Sequence, residues 1–219
     1  MTGLTNEAAD KSRRMRKTLI AASLGAASGF AATFFFLGMI DGGTLPDLGV
    51  SREIAALVAI LFLLMGAIIG FGLVTPKYGA KVLNVEDAEE IGEQRSQLLQ
   101  SAIAVLVSGI VLMVLALSAP VGPIPREIAL GVLVLGCAIT AYCSHVARKE
   151  QDELMREVGK DCSVVALYLM FAVGGLWVAL AHLEYVTPPA PIDWLTMFWG
   201  LTLLAAFIVT GRRGLLTMR

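Results

Sequence analysis

The sequence has 219 residues, of which 57% are hydrophobic and 16% are charged, and its formal net charge is −1. Soluble domains are usually about 45–50% apolar and about 25% charged, so this composition disfavours a soluble domain and favours a membrane protein. The three cysteines are an odd number and do not suggest a disulfide framework.

Six uncharged apolar runs follow a polar, basic tail at residues 1–17. A run of about 20 helical residues crosses the roughly 30 Å hydrocarbon layer, where backbone groups must be satisfied internally. We therefore predict an all-α, polytopic membrane helical bundle over residues 18–211, with a second basic tail at 212–219. The first run has no convincing cleavage site and is expected to stay in the protein. The predicted spans are residues 18–40, 54–75, 99–119, 128–147, 162–183 and 194–211.

Basic residues are distributed very unevenly between the segments that flank these runs. Of the 17 Lys and Arg residues, 15 lie in the two tails and in the second and fourth connections, while Arg52 and Arg126 lie on the opposite side. This asymmetry predicts that both termini are cytoplasmic, which requires an even number of spans. It also predicts contact with anionic lipid headgroups at that face rather than with nucleic acid. The composition suggests a bacterial inner membrane.

The step Arg-Glu-Ile-Ala occurs twice, in "SREIAALVAI" and "PREIALGVLV", each time at the start of an apolar run. Glu53 and Glu127 are expected in the first turn of a helix, where a carboxylate favours the positive end of the helix dipole. Ser51 is a candidate N-cap for the first of these helices. We expect Arg52 and Arg126 to lie at the headgroup level with their aliphatic stems along apolar surface.

The repeated step suggests three helical hairpins, formed by spans 1–2, 3–4 and 5–6. One interpretation is an internal duplication of a hairpin. The other is that every helix entering from the same face benefits from an early acidic residue, which needs no common origin.

The second and fourth connections are acidic and partly amphipathic. They form either a cytoplasmic docking surface or simply solvated extensions of the spans. The opposite charges of Asp152 and Arg156 at a four-residue spacing favour a helix there. Gly159 is expected to end that helix, and Asp161 to cap the fifth span. The candidate docking residues are Glu89, Glu90, Glu93, Asp152, Glu153 and Arg156.

Two Gly-x-x-x-Gly patterns lie in the first two runs, at Gly25 and Gly29 and at Gly66 and Gly70. Small residues at this spacing let helix backbones approach closely. The pattern predicts packing inside the bundle, with a dimer face as the alternative.

Chemical motifs are scarce, and the six runs contain no Asp, Glu, Lys or Arg. The weak polar candidates, His145 and His182, lie near opposite ends of their spans, so they cannot ligate one haem. A zinc site of Cys143, His145, Asp161 and Cys162 has suitable ligand types, but its spacing scatters them over different helix faces and heights. We therefore expect no catalytic residue, metal or cofactor.

These features predict a non-catalytic multi-pass protein, either a homo-oligomer or an accessory subunit of a membrane complex. One alternative is a small channel or transporter for an apolar or weakly polar solute. A second is an interfacial enzyme acting on lipid, with His145 or the acidic helix near the cytoplasmic headgroups.

Overall fold

A computed structural model describes residues 23, 25–75, 92 and 94–215. Over these residues the protein is all-helical and has no β-strand, as the sequence predicts. The helices are α1 Gly25–Asp41, α2 Val50–Val74, α3 Arg95–Ala116, α4 Arg126–Glu150, α5 Glu153–His182 and α6 Pro191–Arg212. Helices α2 to α6 are long and apolar enough to cross a membrane, whereas α1 is a shorter apolar helix in the part described.

Most helices extend beyond their predicted apolar runs. Helix α2 begins at Val50 instead of residue 54, and α5 begins at Glu153 instead of residue 162. Polar and charged side chains are compatible with helical backbone, so the backbone hydrogen bonds continue past the apolar run. Hydropathy therefore locates the helices but underestimates the lengths of α2 to α6.

The predicted helix stop at Gly159 and cap at Asp161 are wrong. The chain instead breaks at Gln151 and Asp152, and Oδ1 of Asp152 accepts a hydrogen bond from the backbone N of Met155 at 2.7 Å. This cap starts α5 early, and a glycine inside a helix costs only about 1 kcal/mol, so Gly159 is tolerated.

The five long helices pack side by side in the order α4, α3, α2, α6, α5. A minor contact also joins α3 and α6. Helices α4 and α5 are joined by two residues, yet they diverge and hardly touch. Helix α5 packs mainly on α6, and its buried residues are Val158 and Gly174. We call the end where α2, α4 and α6 begin the Arg52 end, and the opposite end the Arg213 end.

The largest buried cluster lies at the Arg52 end. The last turns of α1 and α3 meet the first turns of α2 there, and a loop residue closes the cluster. Three fully buried alanines on α2 allow these helices to approach closely. The cluster consists of Phe36, Leu48, Ala55, Ala56, Ala59, Leu112 and Ala116.

Helix α5 contains a five-residue π-helical segment, Phe171–Gly175. Its buried Gly174 faces α6, and a Cβ at this position would lie 3.1 Å from Cζ3 of Trp194. Nearer the Arg52 end, Nε1 of Trp177 donates a hydrogen bond to the carbonyl oxygen of Thr187 at 2.9 Å. These contacts fix α5 to α6 and to the loop that joins them.

Candidate functional site

A polar cluster joins four chain segments at the Arg52 end. It consists of Ser51, Arg52 and Asp193 together with the carbonyl oxygens of Ala116 and Ser118, and we call it the Arg52–Asp193 cluster. Ser51 and Arg52 belong to the first turn of α2, Asp193 to the first turn of α6, and Ala116 to the last turn of α3. The start of one helix therefore carries polar contacts to two others.

Asp193 is buried, with 8% of its surface exposed. Its Oδ2 accepts hydrogen bonds from Oγ of Ser51 at 3.1 Å and from the backbone N of Ala190 at 2.7 Å. The second bond satisfies an N–H at the start of α6, where a carboxylate also favours the positive end of the helix dipole. Asp193 thus stabilises its own helix and holds α2 against it.

Arg52 is half-buried and turned towards the end of α3. Its Nη1 donates hydrogen bonds to the carbonyl oxygens of Ala116 at 3.1 Å and of Ser118 at 2.5 Å. The last carbonyl groups of a helix lack hydrogen-bond donors within the helix, and the guanidinium of Arg52 supplies donors to them. Arg52 therefore caps the end of α3. Its position at the level of the lipid headgroups stays a prediction.

The second copy of the repeated step is placed differently. Arg126 and Glu127 are exposed at the start of α4, and neither side chain makes a hydrogen bond within the described residues. Glu53 and Glu127 both lie in first helical turns. The two steps therefore share a position at a helix start, but only Arg52 joins helices together.

The four glycines of the Gly-x-x-x-Gly patterns have unequal surroundings. A Cβ at Gly66 would lie 2.5 Å from Cγ of Leu106, so α2 and α3 approach closely at this point. At Gly25, Gly29 and Gly70 a Cβ would meet nothing within 4 Å among the described residues. Among the described residues, Gly66 alone of the four thus lies in close contact with another helix.

Several charged residues at the Arg213 end form ion pairs, two within α5 and one between α5 and the end of α6. Glu153 lies 3.7 Å from Arg156, Glu157 lies 2.6 Å from Lys160, and Asp161 accepts a short hydrogen bond from Arg213. Oγ of Ser96 also donates to Glu150 at 2.9 Å, which joins α3 to α4. Asp152 acts as the cap of α5. The other candidate docking residues, Glu89, Glu90 and Glu93, lie outside the described residues.

The candidate ligands and nucleophiles are dispersed. His145 and His182 are exposed on different helices, Cys143 is buried, and Cys162 is partly buried. Within the described residues no three His, Cys, Asp or Glu side chains are close enough together to hold a metal ion.

Two cavities open at the Arg213 end. A cavity of about 230 Å³ lies between α3 and α4, where Gln100, Ser101, Cys143, Ser144 and Arg148 line it. A cavity of about 280 Å³ lies between α5 and α6, and its lining combines charged residues with three valines. We call the second one the α5–α6 cavity.

Comparison with protein-family models found no match, and neither did comparison with curated proteins or with solved structures. A function must therefore be inferred from the structure of the chain itself.

The Arg52–Asp193 cluster is the polar arrangement that sequence reasoning missed. Arg52 is one of two basic residues on its side, and Asp193 lies directly before the last apolar run. Their neighbours, however, lie 64 to 142 positions away in the chain. No local pattern connects residues so far apart.

Proposed function

We propose that this protein is a non-catalytic subunit of a membrane assembly, formed either with copies of itself or with another membrane protein. In this proposal it crosses a bacterial inner membrane six times, as three hairpins, with both termini in the cytoplasm. The first span comprises residues 18–40, of which the structure describes the part from Gly25. The charge asymmetry of the connecting segments supports this orientation.

The observation that carries the proposal is the isolation of α5 among the described residues. This helix has two buried residues among 30 and is held mainly by α6. Its outer surface presents Leu167, Tyr168 and Phe171, which are 55%, 70% and 70% exposed. Residues three and four apart share a helix face, so these side chains form a continuous apolar and aromatic stripe. We call it the α5 stripe.

An exposed helix face of large side chains can pack against a helix of a neighbouring protein. Association inside a bilayer depends on van der Waals packing of complementary helix faces, because lipid removes the usual hydrophobic driving force. Aromatic side chains contribute large contact areas with few rotatable bonds. The α5 stripe therefore suits a neighbouring helix from a second protein.

The contacts at the middle of the bundle support this function over the passage of a solute. A pathway needs polar groups that line a continuous space. The close contacts here are apolar instead: Gly66 lies against Leu106, and a Cβ at Gly136 would lie 2.3 Å from Cγ2 of Val111. These contacts bind α2 to α3 and α3 to α4.

The interfacial enzyme finds less support. A general base needs a partner that orients it. His145 is exposed on α4 and has no hydrogen-bond partner in the described part of the chain.

The test is photo-crosslinking in intact membranes. A photoreactive amino acid at position 168 should yield a discrete adduct, either of doubled mass or with one membrane protein identifiable by mass spectrometry. The matched control is position 135 on α4, because Leu135 is similarly exposed, at 64%, on a different helix. Protein adducts no more abundant from position 168 than from position 135 would count against the proposal.

A further inference from the structure

The α5–α6 cavity has a charged rim and an apolar wall. Asp161, Arg212 and Arg213 form the rim, and Val164, Val165 and Val209 form the wall. Its volume of about 280 Å³ is about nine times the 30 Å³ that a water molecule takes up in the liquid. The space suits a phosphate-sized group together with the first methylenes of a chain.

The charges around this cavity leave one cation uncompensated. On α5, Arg156 and Lys160 are each paired with a glutamate of the same helix. Arg213 is paired with Asp161, which holds its guanidinium at the rim. Arg212 has no acidic partner among the described residues, so the rim carries a net charge of +1.

The position of the cavity favours a lipid over a soluble ion. Arg212 is the last residue of α6, and Val209 lies one turn deeper along that helix. On α5, Val164 and Val165 follow Asp161 in the direction of the membrane interior. The polar rim thus lies at the end of two apolar helices, and the valine wall continues towards the acyl-chain region. Basic pockets between membrane helices are the type of site that takes anionic lipid headgroups.

We infer that the α5–α6 cavity binds the phosphate of an anionic membrane lipid, with Arg212 as the principal contact and Arg213, held by Asp161, as the second. The valine wall receives the start of an acyl chain. This inference rests on the membrane-spanning part of the proposed function and not on the assembly through the α5 stripe.

The test is lipid binding by the purified full-length protein in detergent, followed by native mass spectrometry with phosphatidylglycerol as the probe. Arg212→Gln should weaken binding about fivefold, because one basic residue contributes about 1 kcal/mol to attraction of anionic lipid. The double variant R212Q/R213Q should lose at least about tenfold. Phosphatidylcholine, whose headgroup has no net charge, should bind weakly to the unmodified protein and to both variants.

Lys149→Gln is the matched control. Lys149 is exposed at the same end of the bundle, in the last turn of α4, and lies outside both cavities. The K149Q substitution should change phosphatidylglycerol binding less than about twofold, since it removes one positive charge away from the α5–α6 cavity. Circular dichroism checks that every variant keeps its helices. The variant R212Q should fold, because Arg212 is exposed at the end of α6.

Three results would overturn the inference. One is equal loss of binding for R212Q and K149Q, and another is Arg-dependent binding of phosphatidylcholine. The third is displacement of the lipid by millimolar inorganic phosphate, which would identify free phosphate as the ligand. A monomeric protein that still binds phosphatidylglycerol through Arg212 would contradict the assembly proposal and leave this site intact.

Discussion

Ser51 donates a hydrogen bond from Oγ to Oδ2 of Asp193 at 3.1 Å, across 142 positions of the chain. This bond joins the first turns of α2 and α6 at the edge of the main buried cluster. Within the described residues, α6 makes two large contacts, one with α5 and one with α2. The Ser51–Asp193 bond lies at the contact with α2. The α5–α6 pair is therefore attached to the rest of the bundle largely through α2.

Asp193→Ala should destabilise the protein by about 2 kcal/mol, because it removes a helix-capping acceptor and leaves the half-buried Ser51 hydroxyl without its partner. Ser51→Ala should cost about 1 kcal/mol. Thermal unfolding in detergent measures both, and the double variant should cost less than the sum of the single variants because the two residues share one bond. Glu127→Ala, at an exposed first-turn acid, is the control and should cost under about 1 kcal/mol. Equal effects for Asp193 and Glu127 would show that the buried bond is unimportant.

The arginines of the two Arg-Glu-Ile-Ala steps should contribute very differently to the stability of the protein. Arg52→Ala removes two charge-assisted hydrogen bonds to α3 and should cost about 1.5–3 kcal/mol. Arg126→Ala removes an exposed side chain and should stay within about 0.5 kcal/mol of the unmodified protein. The same thermal-unfolding assay compares them. A similar loss in both variants would contradict the structural difference between the two steps.

Gly66 and Gly70 provide a matched pair on α2. Gly66→Ala should destabilise the protein by about 1–3 kcal/mol, because the new Cβ would overlap Leu106 of α3. Gly70→Ala should be neutral or stabilising by up to about 1 kcal/mol, since the site is open and alanine is the better helix former. Unfolding in detergent measures the two effects. A stabilising Gly66→Ala would refute the close approach of α2 and α3.

The sequence predicted where the helices lie because apolar runs of spanning length have few alternatives in a bilayer. It did not predict where they end. Asp152 rather than Asp161 caps α5, and this choice depends on a backbone break at Gln151 that no apolar pattern marks. It also did not predict the hydrogen bonds of Arg52 to the end of α3, because nothing local indicates that the carbonyl of Ser118 is available 66 residues later. Long-range polar contacts of this kind depend on packing that a single sequence does not display.

The proposed orientation can be checked with a reporter that is active only in the cytoplasm. Fusion to either terminus should give full activity, because the basic tails favour the cytoplasmic side. Insertion at Gly122, in the loop between α3 and α4, should give none. Activity from only one of the two termini would mean an odd number of spans.

The mass of the protein taken from its own membrane tests the central claim most directly. Extraction into polymer-bounded lipid discs keeps the native neighbours, and the protein mass in each disc can then be measured. We expect a multiple of 23.3 kDa, or 23.3 kDa plus the mass of one defined membrane protein. Discs that contain a single 23.3 kDa chain and no other protein would contradict the assembly.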